Sequence, residues 1–174
     1  MFVKKPTVFV SCRWHHDYKE VNDHLKKLIK KAGMQVSPKM DKTGTISVPL
    51  KESINIIDSH AFCVIISPVD REIVTYEQSQ EIGTARKYRV PAFIFADWLS
   101  TGDGVISTSV SKYHSDLNTK GEWCHYNKFD LLDGKQDSRI LEFLAAVKTF
   151  IQIEYPKIEE NGNFQTDNEK PTTK

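Results

Sequence analysis

The stretch AFCVIISPVDREIVTYEQSQEIGTARKYRVPAFIFAD, from Ala61 to Asp97, decides the fold. It opens with a wholly apolar run, Ala61 to Ile66, that halts at Ser67-Pro68, and it closes with a second apolar run from Val90 to Ala96. Between them lies a polar segment with the composition of a helix, starting at about Ile73 or Tyr76 and ending at Tyr88. Apolar runs without alternation belong to strands buried on both faces, and two such strands joined by one helix form a parallel βαβ unit. Open parallel sheets bind ligands beyond the carboxyl ends of their strands. Ser67-Pro68 and the helix carrying Glu81-Ile82-Gly83-Thr84-Ala85 therefore border a candidate crevice.

The same alternation extends in both directions. Upstream, Thr7 to Ser11 is a short β-rich run, and Asp17 is expected to cap a helix whose apolar residues Val21, Leu25, Leu28 and Ala32 recur at helical spacing. Gly33 is its stop signal. Met34 to Ser37 suits a second strand, and Lys39 to Thr45 reads as an exposed loop. A second helix follows, with Ser47 or a neighbour as cap, Pro49 in the first turn and Leu50, Ile54 and Ile57 as its buried stripe.

Downstream, from Leu99 to Gln136, the pattern fades into Gly, Ser, Thr and Asp, with at most one more strand near Tyr126 to Leu131. A final helix is clearer: Asp137 or Ser138 caps it, and Ile140, Leu144, Val147 and Ile151 line one face. After Pro156 the apolar residues run out, so Glu159 to Lys174 reads as a disordered tail on a single domain spanning residues 1–158. The fold these elements define is α/β: a flavodoxin-like parallel sheet of about five strands flanked by helices, in the order 2-1-3-4-5. That order puts its switch point between the first and third strands. Ser11-Cys12-Arg13, Ser67-Pro68 and the Lys39 to Thr45 loop then converge on one edge.

Charge and cysteine content narrow the function classes. Lys plus Arg is 24 and Asp plus Glu is 23, a formal charge of +1, so no global field recruits nucleic acid or an anionic membrane. Met1-Phe2-Val3-Lys4-Lys5-Pro6 lacks the apolar core of a signal peptide, and no apolar run approaches the roughly 20 residues of a membrane span. A cytoplasmic location is the expectation. Cys12, Cys63 and Cys124 are odd in number and widely spaced, which suits a reducing compartment, with Cys63 a small core residue. The six histidines form no helical HxxxH pair and no ligand-spaced cluster beyond the loose Cys124-His125, and no Gly-rich phosphate loop is present. Neither a metal nor a bound cofactor is expected.

Taken together, Phe9-Val10-Ser11 followed by Asp17, the loop with Asp41 and Gly44 ahead of a helix, the run from Asp58-Ser59 to Ser67-Pro68, and Gln80-Glu81-Ile82-Gly83-Thr84-Ala85 before Val90-Pro91 resemble a bacterial TIR domain of the stand-alone antiviral-defence type. The likeness covers about Thr7 to Asp97. It implies cleavage of the nicotinamide glycosidic bond of NAD+, the substrate, by one glutamate on the helix after the third strand, here Glu81. ADP-ribose or a cyclic isomer would be the product and a defence signal. The resemblance further implies that Ser11, Cys12, Arg13, Asp41, Gly44, Ser67 and Gln78 surround the substrate, and that the domain works as a homo-oligomer or with a partner effector protein.

Breaking a bond from a sugar carbon to a cationic nitrogen builds an oxocarbenium-like transition state, which a nearby carboxylate stabilises without a metal. Enzymatic members of the family usually carry Ser and an aromatic-hydrophobic pair before the glutamate, whereas Glu77, Gln78 and Ser79 precede Glu81. Ile73-Val74-Thr75-Tyr76-Glu77 offers a rival register with Glu77 as the carboxylate, one helical turn away. Two other functions fit parts of the pattern: a non-catalytic TIR interaction module, and a nucleoside 2-deoxyribosyltransferase-like enzyme, whose related fold also has a Glu-x-Gly-x-Ala helix. Gly83 reads as a mark of close helix–sheet packing. Arg13 suits either a phosphate clasp or plain loop decoration.

Overall fold

Five parallel strands, β1 (Thr7–Cys12), β2 (Gln35–Val36), β3 (Ala61–Ile66), β4 (Ala92–Asp97) and β5 (Trp123–Tyr126), form one sheet in the order β2-β1-β3-β4-β5. The computed structural model describes residues 5–37, 55–70, 72–97 and 123–154. Helices α1 (Lys19–Lys31), α2 (Tyr76–Lys87), α3 (Lys128–Leu132) and α4 (Asp137–Glu154) connect and flank the strands. β1 pairs with β3 in parallel, Ser11 opposite Val64 and Cys12 opposite Ile65, so the switch point lies between them as the strand order requires.

Side-chain alternation sorts the core into two layers. Val8, Cys12, Cys63, Ile65, Phe93 and Phe95 meet α1 and α4 on one face; Phe62, Val64, Ile66, Ile94 and Ala96 meet α2 on the other. Each fully buried aromatic or branched aliphatic side chain contributes about 1.5–3 kcal/mol relative to its exposed state. The stripe Ile140, Leu144, Val147 and Ile151 of α4 is buried as its spacing indicates. Cys63 is fully buried in the strand that Ala61 to Ile66 forms.

Gly33 closes α1 because it alone of the local residues adopts φ +88° at no cost, and its N–H and that of Met34 bond the Lys30 and Ile29 carbonyls. The other end of α1 differs from expectation. Asp17 lies inside a 3₁₀ turn, His16–Tyr18, whose cap is the His15 ring, and α1 starts at Lys19 without a side-chain cap. The tighter winding accompanies burial of Tyr18, whose hydroxyl donates to Asp97 Oδ2 at 3.0 Å and lies 3.3 Å from Pro68 O.

Three further expectations are corrected. The region near Tyr126 to Leu131 is a strand only up to Tyr126, because Asn127 Oδ1 accepts the N–H groups of Phe129 and Asp130 and starts a helix there. In the second helix of the sequence reading, Ile56 is buried and Ile57 exposed; Ser47, Pro49, Leu50 and Ile54 lie outside the described residues, as do Leu99 to Gly121 and the tail from Glu159. Gly83 is exposed, and a Cβ there would meet nothing within 4 Å, so it does not mark close packing.

Candidate active site

The carboxyl end of β1 brings together residues that the chain holds 70 positions apart. Ser11 faces α2, and its hydroxyl donates to Glu81 Oε2. The serine is buried and Glu81 half-buried, so the carboxylate stands at the edge of the sheet with one oxygen engaged by the strand. α2 points it there for two reasons. Thr75 and Gln78 form a capping box that fixes the first turn, and Gln78 Nε2 donates to Ile65 O at 3.0 Å, anchoring that turn to β3. Glu81 then follows one turn after Glu77, which is exposed.

The neighbouring loop is built to hold its shape. Asp70, at φ 48°, turns the chain so that Val69 and Glu72 exchange two backbone hydrogen bonds of 3.0 and 2.8 Å. The turn presents Glu72 to Arg13: Nη1 donates to Oε1 at 2.7 Å and Nη2 to the backbone carbonyl at 2.9 Å. Arg13 is buried, so its charge is neutralised within the protein and its outer donors are engaged.

Several residues expected around a substrate do other work. Ser67 is fully buried and its hydroxyl bonds Tyr126 at 2.9 Å in the opposite layer of the core, because strand alternation turns it away from Ser11. Gln78 has both ends engaged, the amide nitrogen by Ile65 O and the oxygen by the Thr75 N–H, and is a structural anchor. Cys12 faces α1, away from Glu81. Asp41 and Gly44 lie outside the described residues.

Other polar groups at this end of the sheet escaped the sequence reading. Asp97 ends β4 buried, with Tyr18 Oη on Oδ2 at 3.0 Å. Nothing in its sequence context signals this, since an Asp after an apolar strand reads as the first residue of a loop. Among the described residues His15, His16 and Asp17 bring their ligand-type atoms within 4.8 Å of one another. His16 Nε2 lies 3.0 Å from Asp17 Oδ1, and His15 Nδ1 accepts the Asp17 N–H, which caps the 3₁₀ turn.

No family model and no curated protein matches the chain. Solved structures do. The flavoenzyme NAD(P)H:(acceptor) oxidoreductase FerB from Paracoccus denitrificans is 14% identical at a TM-score of 0.53, covering 85% of this chain and 98% of that one. A diflavin flavoprotein A3 from Nostoc sp. is 14% identical at 0.57, covering 87% and 99%. The CMP N-glycosidase BcmB from Clostridium botulinum is 18% identical at 0.50, covering 76% and 98%. At such identities the likeness establishes the fold: this is a flavodoxin-like α/β domain.

The residues at the first turn do not fit a flavin mononucleotide held by its phosphate on backbone amides. The Asp17 N–H is taken by His15 and the Tyr18 N–H by the His15 carbonyl, and the Asp17 carboxylate would face the anion. Among the described residues no helix is long and apolar enough to cross a membrane.

Proposed function

We propose that this domain cleaves an N-glycosidic bond, with NAD+ as substrate and Glu81 as the catalytic carboxylate. The observation that carries the reading is the Ser11–Glu81 contact, which holds a half-buried carboxylate at the switch point between β1 and β3. As the C1′–N bond breaks, its electron pair neutralises the pyridinium nitrogen and nicotinamide leaves uncharged. Such a leaving group asks for no general acid, so one carboxylate opposing the positive ribosyl carbon suffices. Water then adds at C1′ and loses a proton to give ADP-ribose; addition of a hydroxyl of the same molecule gives a cyclic isomer.

The proposal includes assembly with a second copy or a partner effector. Trp14, Tyr76 and Phe129 are exposed, and each follows a strand at the same end of the sheet, an arrangement suited to contact with another molecule. Location in the cytoplasm, membership of the TIR family and a role in antiviral defence belong to the same reading.

A nucleoside or nucleotide glycosidase is the second reading. Glu81-Ile82-Gly83-Thr84-Ala85 favours it, together with the shared fold of the CMP N-glycosidase. The test is incubation of concentrated full-length protein with NAD+ and, separately, with CMP, and chromatography for nicotinamide, cytosine and ribosyl products. Nicotinamide release lost in Glu81→Gln supports the first reading; cytosine release alone replaces it with the second. Neither base released, with the protein assembled at high concentration, leaves the non-catalytic interaction module.

A further inference from the structure

On the face of the sheet opposite Glu81, between the end of β1 and the flank of α1, lies a pocket of about 290 Å³, near the lower bound for small-molecule sites. Lys19 and Lys26 give its lining two ammonium groups against one acid, Asp23, while the Arg13 guanidinium, also in the lining, is already paired with Glu72. Lys26 is buried, and its ammonium stands 5.5 Å from the centre of the Trp14 ring, which also lines the pocket. His15 and His16 complete the wall.

Two lining residues hold a buried polar atom without a hydrogen-bond partner among the described residues: Arg13 Nε, a donor, and Asn22 Oδ1, an acceptor. Both side chains are more than nine-tenths buried, at 7% and 5% exposure. Their other polar groups are committed, since Arg13 binds Glu72 and Asn22 Nδ2 donates to Arg13 O at 2.9 Å. Such atoms cost free energy until something satisfies them. What would satisfy both is specific: an anionic oxygen for the Arg13 Nε–H and the lysines, and a hydroxyl for Asn22. A bare carboxylate offers the first without the second, and a hydroxy acid offers both with only a single charge. A phosphate ester of a small polyol or sugar offers both, and its second charge suits two lysines.

We propose that this pocket binds a small hydroxylated phosphate monoester of the sugar-phosphate type, at a site separate from Ser11–Glu81. Recognition runs through side chains on the α1 flank, not through the amides of the preceding turn, which are already engaged. The proposal stands whatever reaction Glu81 performs. Arg13 connects the pocket to the β3–α2 loop through Glu72, so ligand there would bear on the loop that precedes the catalytic helix.

The test is a titration of the full chain with ribose 5-phosphate, inorganic phosphate and ribose, followed by the Arg13 Nε–H and Asn22 side-chain resonances in ¹H–¹⁵N spectra. Ribose 5-phosphate should shift both saturably, inorganic phosphate should shift Arg13 more weakly, and ribose should leave both unmoved. Lys26→Met should weaken binding about tenfold or more, as loss of one charge-assisted contact does, while Glu81→Gln binds as the parent does. Lys26→Gln replaces Lys26→Met if the latter loses spectral dispersion. No saturable shift of Arg13 Nε–H in the parent, or equal binding after removal of the Lys26 charge, overturns the proposal and leaves the pocket to ordered water.

Discussion

Ser11 Oγ donates to Glu81 Oε2, joining the end of the first strand to the middle of the helix that follows the third. The bond engages one carboxylate oxygen and restrains the group at the end of the strand. A carboxylate held in advance stabilises a developing positive charge without reorganisation at the moment of reaction.

Glu81→Gln should therefore lower the rate of base release by about a hundredfold or more, equivalent to roughly 3 kcal/mol of lost transition-state stabilisation, with the melting temperature little changed. Glu77→Gln should be mild, since Glu77 is exposed one turn away. Ser11→Ala should fall between them, about tenfold down in kcat, because Glu81 keeps its charge but loses its positioning bond. Single-turnover rates for the three variants check the ranking; a larger loss in Glu77→Gln than in Glu81→Gln moves the assignment one helical turn.

Much of this arrangement was legible in the residues because it rests on periodicity. Ala61 to Ile66 and Ile140, Leu144, Val147 and Ile151 admit few other readings, and the strand order follows from short right-handed crossovers. What the residues hid depends on which way a side chain turns at a strand end. Ser11 and Ser67 occupy matching positions in sequence pattern, yet one hydroxyl reaches Glu81 and the other Tyr126, because the two fall on opposite faces of the sheet. Gln78 was legible as a neighbour of the site but not as an anchor, since its partner Ile65 O is a backbone atom that no side-chain pattern reports. The start of α1 was misread at Asp17 because a histidine, His15, supplies the cap.

Gly83 gives a test of stability alone. It lies within α2, exposed, with open space where a Cβ would project. Gly83→Ala should stabilise the protein by about 0.5–1 kcal/mol, through reduced entropy of the unfolded chain and better helix propensity. Urea melts at unchanged m-value would show it as a higher midpoint. A lower midpoint would mean that something outside the described residues packs on that face of α2.

The Arg13–Glu72 pair should behave as a partly buried one. The two side chains are 8% and 56% exposed, so removing the glutamate leaves a guanidinium with little water to solvate it. Glu72→Ala should cost about 2 kcal/mol, softened by the bond from Arg13 to the Glu72 carbonyl, which survives. Arg13→Met combined with Glu72→Ala should cost less than the two single changes added together. Additive losses in a double-mutant cycle would show the pair to be uncoupled.

The last prediction concerns alkali. Burial pushes the Cys63 thiol and the Tyr126 phenol well above their ordinary values and raises the Cys124 thiol, where Arg139 partly opposes the shift. A folded pKa above the unfolded one means that the unfolded chain gives up its proton first. Stability from these groups is complete below the unfolded values, about 8.5 for a thiol and 10 for a phenol, and is lost as pH rises through the folded ones. The urea midpoint should hold steady near neutrality, begin to fall above about pH 9, and fall more steeply above about pH 10, each group adding at most about 1.4 kcal/mol per pH unit. Tyr126→Phe, though less stable at neutral pH for want of the Ser67 bond, should lose the steeper part of that decline. The buried Cys63 and Cys124 thiols should in parallel resist a thiol reagent until denaturant is added. A midpoint that stays level to about pH 11, or thiols that react at once in the native protein, would mean that these groups meet water in the folded state.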